Sequence, residues 1–381
     1  MTSHDVLLAT IKVIQRKKDN FKKIYVMDNS AVGSFMRLVF QVDDLGKKIK
    51  KLGAKPLYLD EEKSIKIDFN GEVLDRKIPI PKILYENLIE DKNKNTYINI
   101  PRLKSHILAE ATISIKNQLG LLYDKEKMYK HHLIHEKVVD IMNVFQPNFN
   151  LVDATTTVDY GPMAVFPEWE TPMNLLISGI DPVAVDTIGS YLIGIDNIKH
   201  IEIAAERGFG INDLKQIEVL PSHKILDEYK IQLHHKNIPK TLPQTIKILR
   251  GTEKVCKTGC SFLDLLFIWF GTQSELKKCV VIYGKGHDSK ELDHYDGPFI
   301  VNGPCAVKEL KDYFQQRSKK DNIEVYYINE HLNIAAVGTA IRKAFGISLF
   351  DLTDLLPCSL IKVAFLKILA KLKGGKFAMI K

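Results

Sequence analysis

Cysteine is scarce in this chain and never closely paired: there are five in 381 residues, with no Cys-x-x-Cys. That excludes a disulfide framework and favours reduced thiols. Long apolar runs are also missing. The longest, Phe262 to Phe270, is broken by Asp264 and is far short of the ~20 residues a spanning helix needs. No stretch joins a basic head to an apolar core and a cleavage site, so a cytoplasmic protein is expected. Internal repeats and low-complexity tracts are absent, and residues 360–381 contain no acid. Those residues hold six lysines, most of the formal net charge of +8, and leave a nearly neutral body. A nucleic-acid binder would spread its basic residues over a face or groove, so none is expected here. With 45% hydrophobic and 26% charged residues, the chain can build a large core.

Apolar periodicity predicts helix, strand, helix, strand over the first 60 residues, the alternation of a mostly parallel α/β sheet with flanking helices. Ile65, Ile67 and Phe69 alternate with polar residues up to Asn70-Gly71, which predicts a β-hairpin excursion. A strand over 96–100 then delivers a polar loop, Pro101 to His106, where α/β folds collect ligands. Helices follow near Ile113 to Leu119 and Leu133 to Phe145, and strands near Leu151 to Ala154 and Leu175 to Ser178. Asp181 before Pro182 reads as a helix N-cap, and Gly208 and Gly210 as a helix stop and a tight turn. The pattern divides the chain into an α/β domain at 1–222, a linker or domain edge at 223–255, and a smaller α/β domain at 256–381. That last part ends in a basic amphipathic helix.

Several of these motifs, in this order, resemble the domain of unknown function 362 family. They are Pro101-Arg-Leu-Lys-Ser-His106, Ile115-Lys-Asn-Gln-Leu-Gly120, His135, Asp153, Asp181-Pro-Val-Ala-Val-Asp186 and Gly208-Phe-Gly210. The resemblance covers roughly residues 5–222 and implies an α/β fold with a site built on these motifs. Its members are often described as iron-sulfur proteins carrying paired Cys-x-x-Cys motifs, which this chain lacks. They usually begin with a strand holding Lys-Pro-Asn, whereas this chain starts near the helix that follows, so a truncated or divergent N-terminus is expected.

Lys104 and Lys116 could converge on a carboxylate or phosphate, or be two solvated lysines. Asn117 could orient a ligand oxygen or cap a turn. His106, His135, Asp153 and Asp186 could supply general acid and base or bind a divalent metal. His131 and His132 read as solvated. Asp186 lies beyond the reach of the Asp181 cap, which leaves it a contact to ligand or to Lys104, or a buried ion pair. Cys256, Cys260 and Cys305, with His331, are candidate ligands for a metal or an iron-sulfur cluster, while buried structural thiols are the alternative. Cys279 and Cys358 read as structural. The terminal helix could dock on its own domain or lie on an anionic membrane surface through residues 360–381.

Three functions stay open on the sequence. One is an enzyme for a small anionic metabolite, with or without a metal. The others are a cluster or thiol redox protein and a binding protein without chemistry. Oligomeric state is not legible.

Overall fold

A computed structural model describes residues 2–29, 35–162, 166–235, 242–255, 260, 263–264, 267–268, 277–330, 334–346 and 360–375. The chain is α/β, as its alternating pattern predicts, but the strands form several small sheets rather than one. Helix α1 (His4–Gln15) precedes a parallel pair, β1 (Tyr25–Asp28) with β2 (Lys55–Tyr58), bridged by α2 (Met36–Val39) and α3 (Leu45–Lys51).

The predicted hairpin exists as β3 (Ser64–Ile67) against β4 (Ile78–Pro81). Asn70-Gly71 does not form its two-residue turn, because the loop folds inward over Phe69, Val73 and Leu74, all buried. The Asp140 carboxylate holds the Val73 and Leu74 amides at 2.7 and 3.0 Å and also binds Arg207. A Cβ at Gly71 would fall 2.4 Å from Asp140 Cγ, so this approach needs glycine.

After α4 (Lys82–Tyr85), short β5 (Ile98–Asn99) lies parallel to β8 (Phe149–Val158), which pairs antiparallel with β9 (Glu170–Gly179). The expected polar loop at 101–106 is partly strand. Lys104–His106 forms β6, a second hairpin with β7 (Glu110–Thr112). Helices α5 (Ser114–Asn117), α6 (Asp124–Met128), α7 (Ile134–Met142), α8 (Pro182–Leu192), α9 (Lys199–Glu206) and α10 (Lys224–Tyr229) complete this half. Its core gathers Leu103, Ile113, Ile115, Val138, Val152 and Val183.

The second half is a four-stranded parallel sheet in the order β10 (Ile246–Arg250), β11 (Cys279–Tyr283), β12 (Phe299–Asn302), β13 (Val325–Ile328). β10 belongs to the stretch expected as linker or domain edge. Its strand character was hidden because it is short, with Lys247 and Arg250 interrupting the apolar residues. The sheet has helices α11 (Ser289–Leu292), α12 (Pro304–Asp321) and α13 (Ile334–Ala344) after β11, and α14 (Leu360–Leu372) follows them to pack on Phe35 and Leu38 of the first half. Val280, Ile282 and Val301 pack with Leu310 and Phe314 on one face. Val281, Tyr283 and Ile300 pack with Val337 and Ile341 on the other. Burial on both faces explains why these strands read as unbroken apolar runs. The second cluster also takes in Leu108, Tyr160 and Trp169 from the first half.

Candidate functional site

The β6–β7 hairpin positions the first candidates. Ser105 donates to the His234 carbonyl at 2.7 Å, and the chain at Gly161 presses so close that a Cβ there would lie 2.2 Å from the Ser105 carbonyl oxygen. Lys104 lays its ammonium on the Pro162 carbonyl at 2.7 Å, and burial pushes its pKa down to about 8, with Arg102 adding repulsion. His106 turns its ring into the hairpin loop, where Nδ1 accepts the Leu108 and Ala109 amides at 3.0 and 3.2 Å. Two donors on Nδ1 put the proton on Nε2. Burial, followed by the Lys116 and Lys104 charges, holds its pKa well below the ordinary range, so the ring is neutral. It can offer Nε2–H as a donor but has no ring nitrogen left to accept a proton. The general-base role expected for His106 does not fit this arrangement.

Lys116 lies on α5 and is only 9% exposed. Its ammonium makes no hydrogen bond or ion pair among the described residues. Burial pushes its pKa down to about 7, and the charges of Lys104, Lys137 and Lys127 push the same way.

Asp186 does not pair with Lys104. Fully buried on α8, it accepts the Ser114 and Ile115 amides at 2.6 and 3.0 Å and so caps α5, the helix that carries Lys116. Burial pushes its carboxyl up to about 7, against those two bonds, which favour the ionised form. Asp153 is also occupied. Its oxygens take the Ser3 amide at 2.6 Å and the Thr155 hydroxyl at 2.6 Å, tying the start of α1 to β8. Burial would raise its pKa, but these bonds hold it below the usual carboxylate range. Asn117 donates to Asn99 Oδ1 at 2.8 Å, and Asn99 bonds Asn150 and the Ser114 carbonyl, a polar tie between α5 and the β5–β8 pair.

His135 is brought to His200, not to an acid. Their Nδ1 atoms are 3.2 Å apart and their rings stack with centroids at 5.4 Å. Burial holds His135 down to about 4 and His200 well below the ordinary range, and His200 Nε2 is buried without a hydrogen-bond partner among the described residues. Both carboxylates of the expected four-residue acid/base or metal set spend oxygens on backbone and hydroxyl donors. Among the described residues no three His, Cys, Asp or Glu side chains gather as metal ligands.

Cys260 is buried and Cys305 half-buried at the start of α12, while Cys256, Cys358 and His331 lie outside the described residues. Cys279 is buried in β11, and that burial pushes its thiol up to about 12. Cys260 Sγ lies 3.9 Å from where a Cβ on Gly303 would stand, which brings it to the turn that leads into Cys305.

Several members of this region were not legible in the sequence. His131, expected to be solvated, is buried: Lys130 adopts a left-handed φ of 45° and turns the chain inward, and burial takes the His131 pKa down to about 3. Lys137 is fully buried on α7, its ammonium held by the carbonyls of Glu126, Lys127 and Tyr129. Lys127 is buried beside Asp124 at 3.3 Å. Asp28 ends β1 and keeps solvent access, yet crowding by protein raises its pKa despite the Asn29 amide and the charges of Lys127 and Lys104. Only His200 left a usable signal, since it shares the inward stripe of α9 with Ile201 and Ala204. The result is an interior region in which cations and neutral imidazoles outnumber acids.

The Gly-x-Gly pair has a structural explanation. Asp181 Oδ1 caps α8 through the Val183 and Ala184 amides, and Oδ2 takes the Ile211 amide at 2.9 Å. A Cβ at Gly210 would lie 1.9 Å from Asp181 Oδ1, so glycine is required there.

No solved structure matches this chain. A thylakoid-associated protein of Synechocystis is 25% identical over 177 residues, covering 43% of this chain and 53% of that protein. The chain thus spans about half the length of that curated relative. The family model described as "Domain of unknown function (DUF362)" matches residues 1–191, which hold every motif named above except the Gly208–Gly210 turn. With half of its length under that model, and the matched half containing Lys104, His106 and Lys116, the chain belongs to the DUF362 family.

Proposed function

We propose that this chain binds a small anion, a carboxylate or a phosphate, at Lys116 with Lys104 beside it, and that the His106 Nε2–H donates to the same ligand. The observation that carries this reading is Lys116, a residue 9% exposed whose ammonium has no counter-charge among the described residues. Burying a lone charge is costly, and folded proteins ordinarily pair it or neutralise it. A bound anion would supply the missing partner and raise the lysine's pKa. Catalysis by a metal held between His106, His135, Asp153 and Asp186 is not part of this reading, since Asp153 and Asp186 are already occupied.

Replacing Lys116 by Met tests it. Removing an uncompensated buried charge should stabilise the free protein by about 1–4 kcal/mol. The same change should abolish the rise in melting temperature that phosphate or acetate gives the wild type. If Lys116→Met lowers stability, or leaves the response to anions intact, the reading fails.

A further inference from the structure

The terminal helix α14 has two apolar faces, of which the fold uses one. Leu366 and Ala370 are buried, with Leu369 partly so, and Leu366 and Leu369 pack on Phe35 and Leu38. Lys373 then closes the docked side with an ion pair to Glu61 at 2.9 Å. The other face carries Phe365, Ile368 and Leu372, which are 61%, 59% and 80% exposed. Positions i, i+3 and i+7 form a single stripe on a helix. Lys371, exposed, borders that stripe, and residues 360–381 hold six lysines and no acid.

We infer that this stripe lies on an anionic lipid bilayer, its three apolar side chains entering the boundary between headgroups and acyl chains while the lysines meet the lipid phosphates. The helix would rest in the plane of the interface, as amphipathic helices with a basic border do. At 13 residues it is too short to cross a bilayer. Charge decides between lipid and a second copy. Two such helices meeting face to face would set the bordering lysines against each other with no acid from either segment, whereas an anionic surface attracts them. Docking through Leu366 and Lys373 leaves the stripe presented without any need for the helix to detach.

Cosedimentation of the full chain with vesicles tests this. The protein should pellet with phosphatidylcholine vesicles containing phosphatidylglycerol, remain in the supernatant with phosphatidylcholine alone, and be released by salt. The triple change Phe365→Gln, Ile368→Gln, Leu372→Gln should weaken binding by more than ~10-fold while the melting temperature holds, because these side chains support no core. The change Lys371→Gln should weaken it by ~5-fold and reduce the preference for anionic lipid. Absence of wild-type binding to anionic vesicles overturns the proposal, and so does equal binding by the stripe variant. Light scattering that shows a dimer split by the stripe changes would assign the face to a second copy and overturn it as well.

Discussion

Lys116 and His106 show how far a residue's chemistry depends on what its neighbours have already claimed. His106 would be a general base in most contexts, but two backbone amides occupy its Nδ1 and leave it only a proton to offer. Lys116 is the reverse case, an ammonium with no acceptor among the described residues. Its pKa is lowered from 10.5 to about 7, so between those values the unfolded chain binds a proton that the folded chain does not. The sign follows directly: this lysine burdens the fold fully below about pH 7, less as pH rises, and not at all above its ordinary value. The stability gained by Lys116→Met should therefore be largest near pH 7 and shrink toward pH 10, measured by urea unfolding across that range. A gap that does not change with pH would mean that the lysine's charge is not what burdens the fold.

At the scale of elements, Asp153 and Asp186, which read as catalytic candidates, hold backbone in place, as does Asp181, which read as a helix cap. Asp186 joins α8 to the first turn of α5, Asp153 joins α1 to β8, and Asp181 joins α8 to the Gly210 turn. Asp186→Ala would strand two buried amides and should cost about 2–4 kcal/mol in a denaturation experiment. Asp186→Asn should cost less, because its amide oxygen still accepts one of them. Equal stability of Asp186→Ala and wild type would show that the cap is dispensable and return Asp186 to the list of ligand contacts.

These ties also mark what the sequence could disclose. The Asp181-Pro182 start of α8, the stop at Gly208 and the second-half strands β11, β12 and β13 were legible, because caps, breakers and apolar runs are local signals. Where Asp153 and Asp186 spend their oxygens was not, since their partners lie 150 and about 70 residues away in the chain. Lys137 was equally hidden, as nothing local distinguishes a lysine held by three carbonyls from one in water.

Across the whole molecule, the turn that holds His106 also supplies Leu108 to the cluster on the second-half sheet, with Tyr160 and Trp169 beside it. One short loop thus serves the candidate site and the junction between halves. Independent cores would melt independently; a shared one forces the halves to share a transition. Leu108 is 4% exposed, and Leu108→Ala should cost about 2–5 kcal/mol. Calorimetry of the wild type should show one cooperative transition whose van't Hoff and calorimetric enthalpies agree, and the variant should split it in two. Two resolved transitions in the wild type would refute the link. If it holds, damage to the second-half sheet loosens the hairpin beneath Lys104 and His106, so lesions far from either residue would be felt there as lost cooperativity.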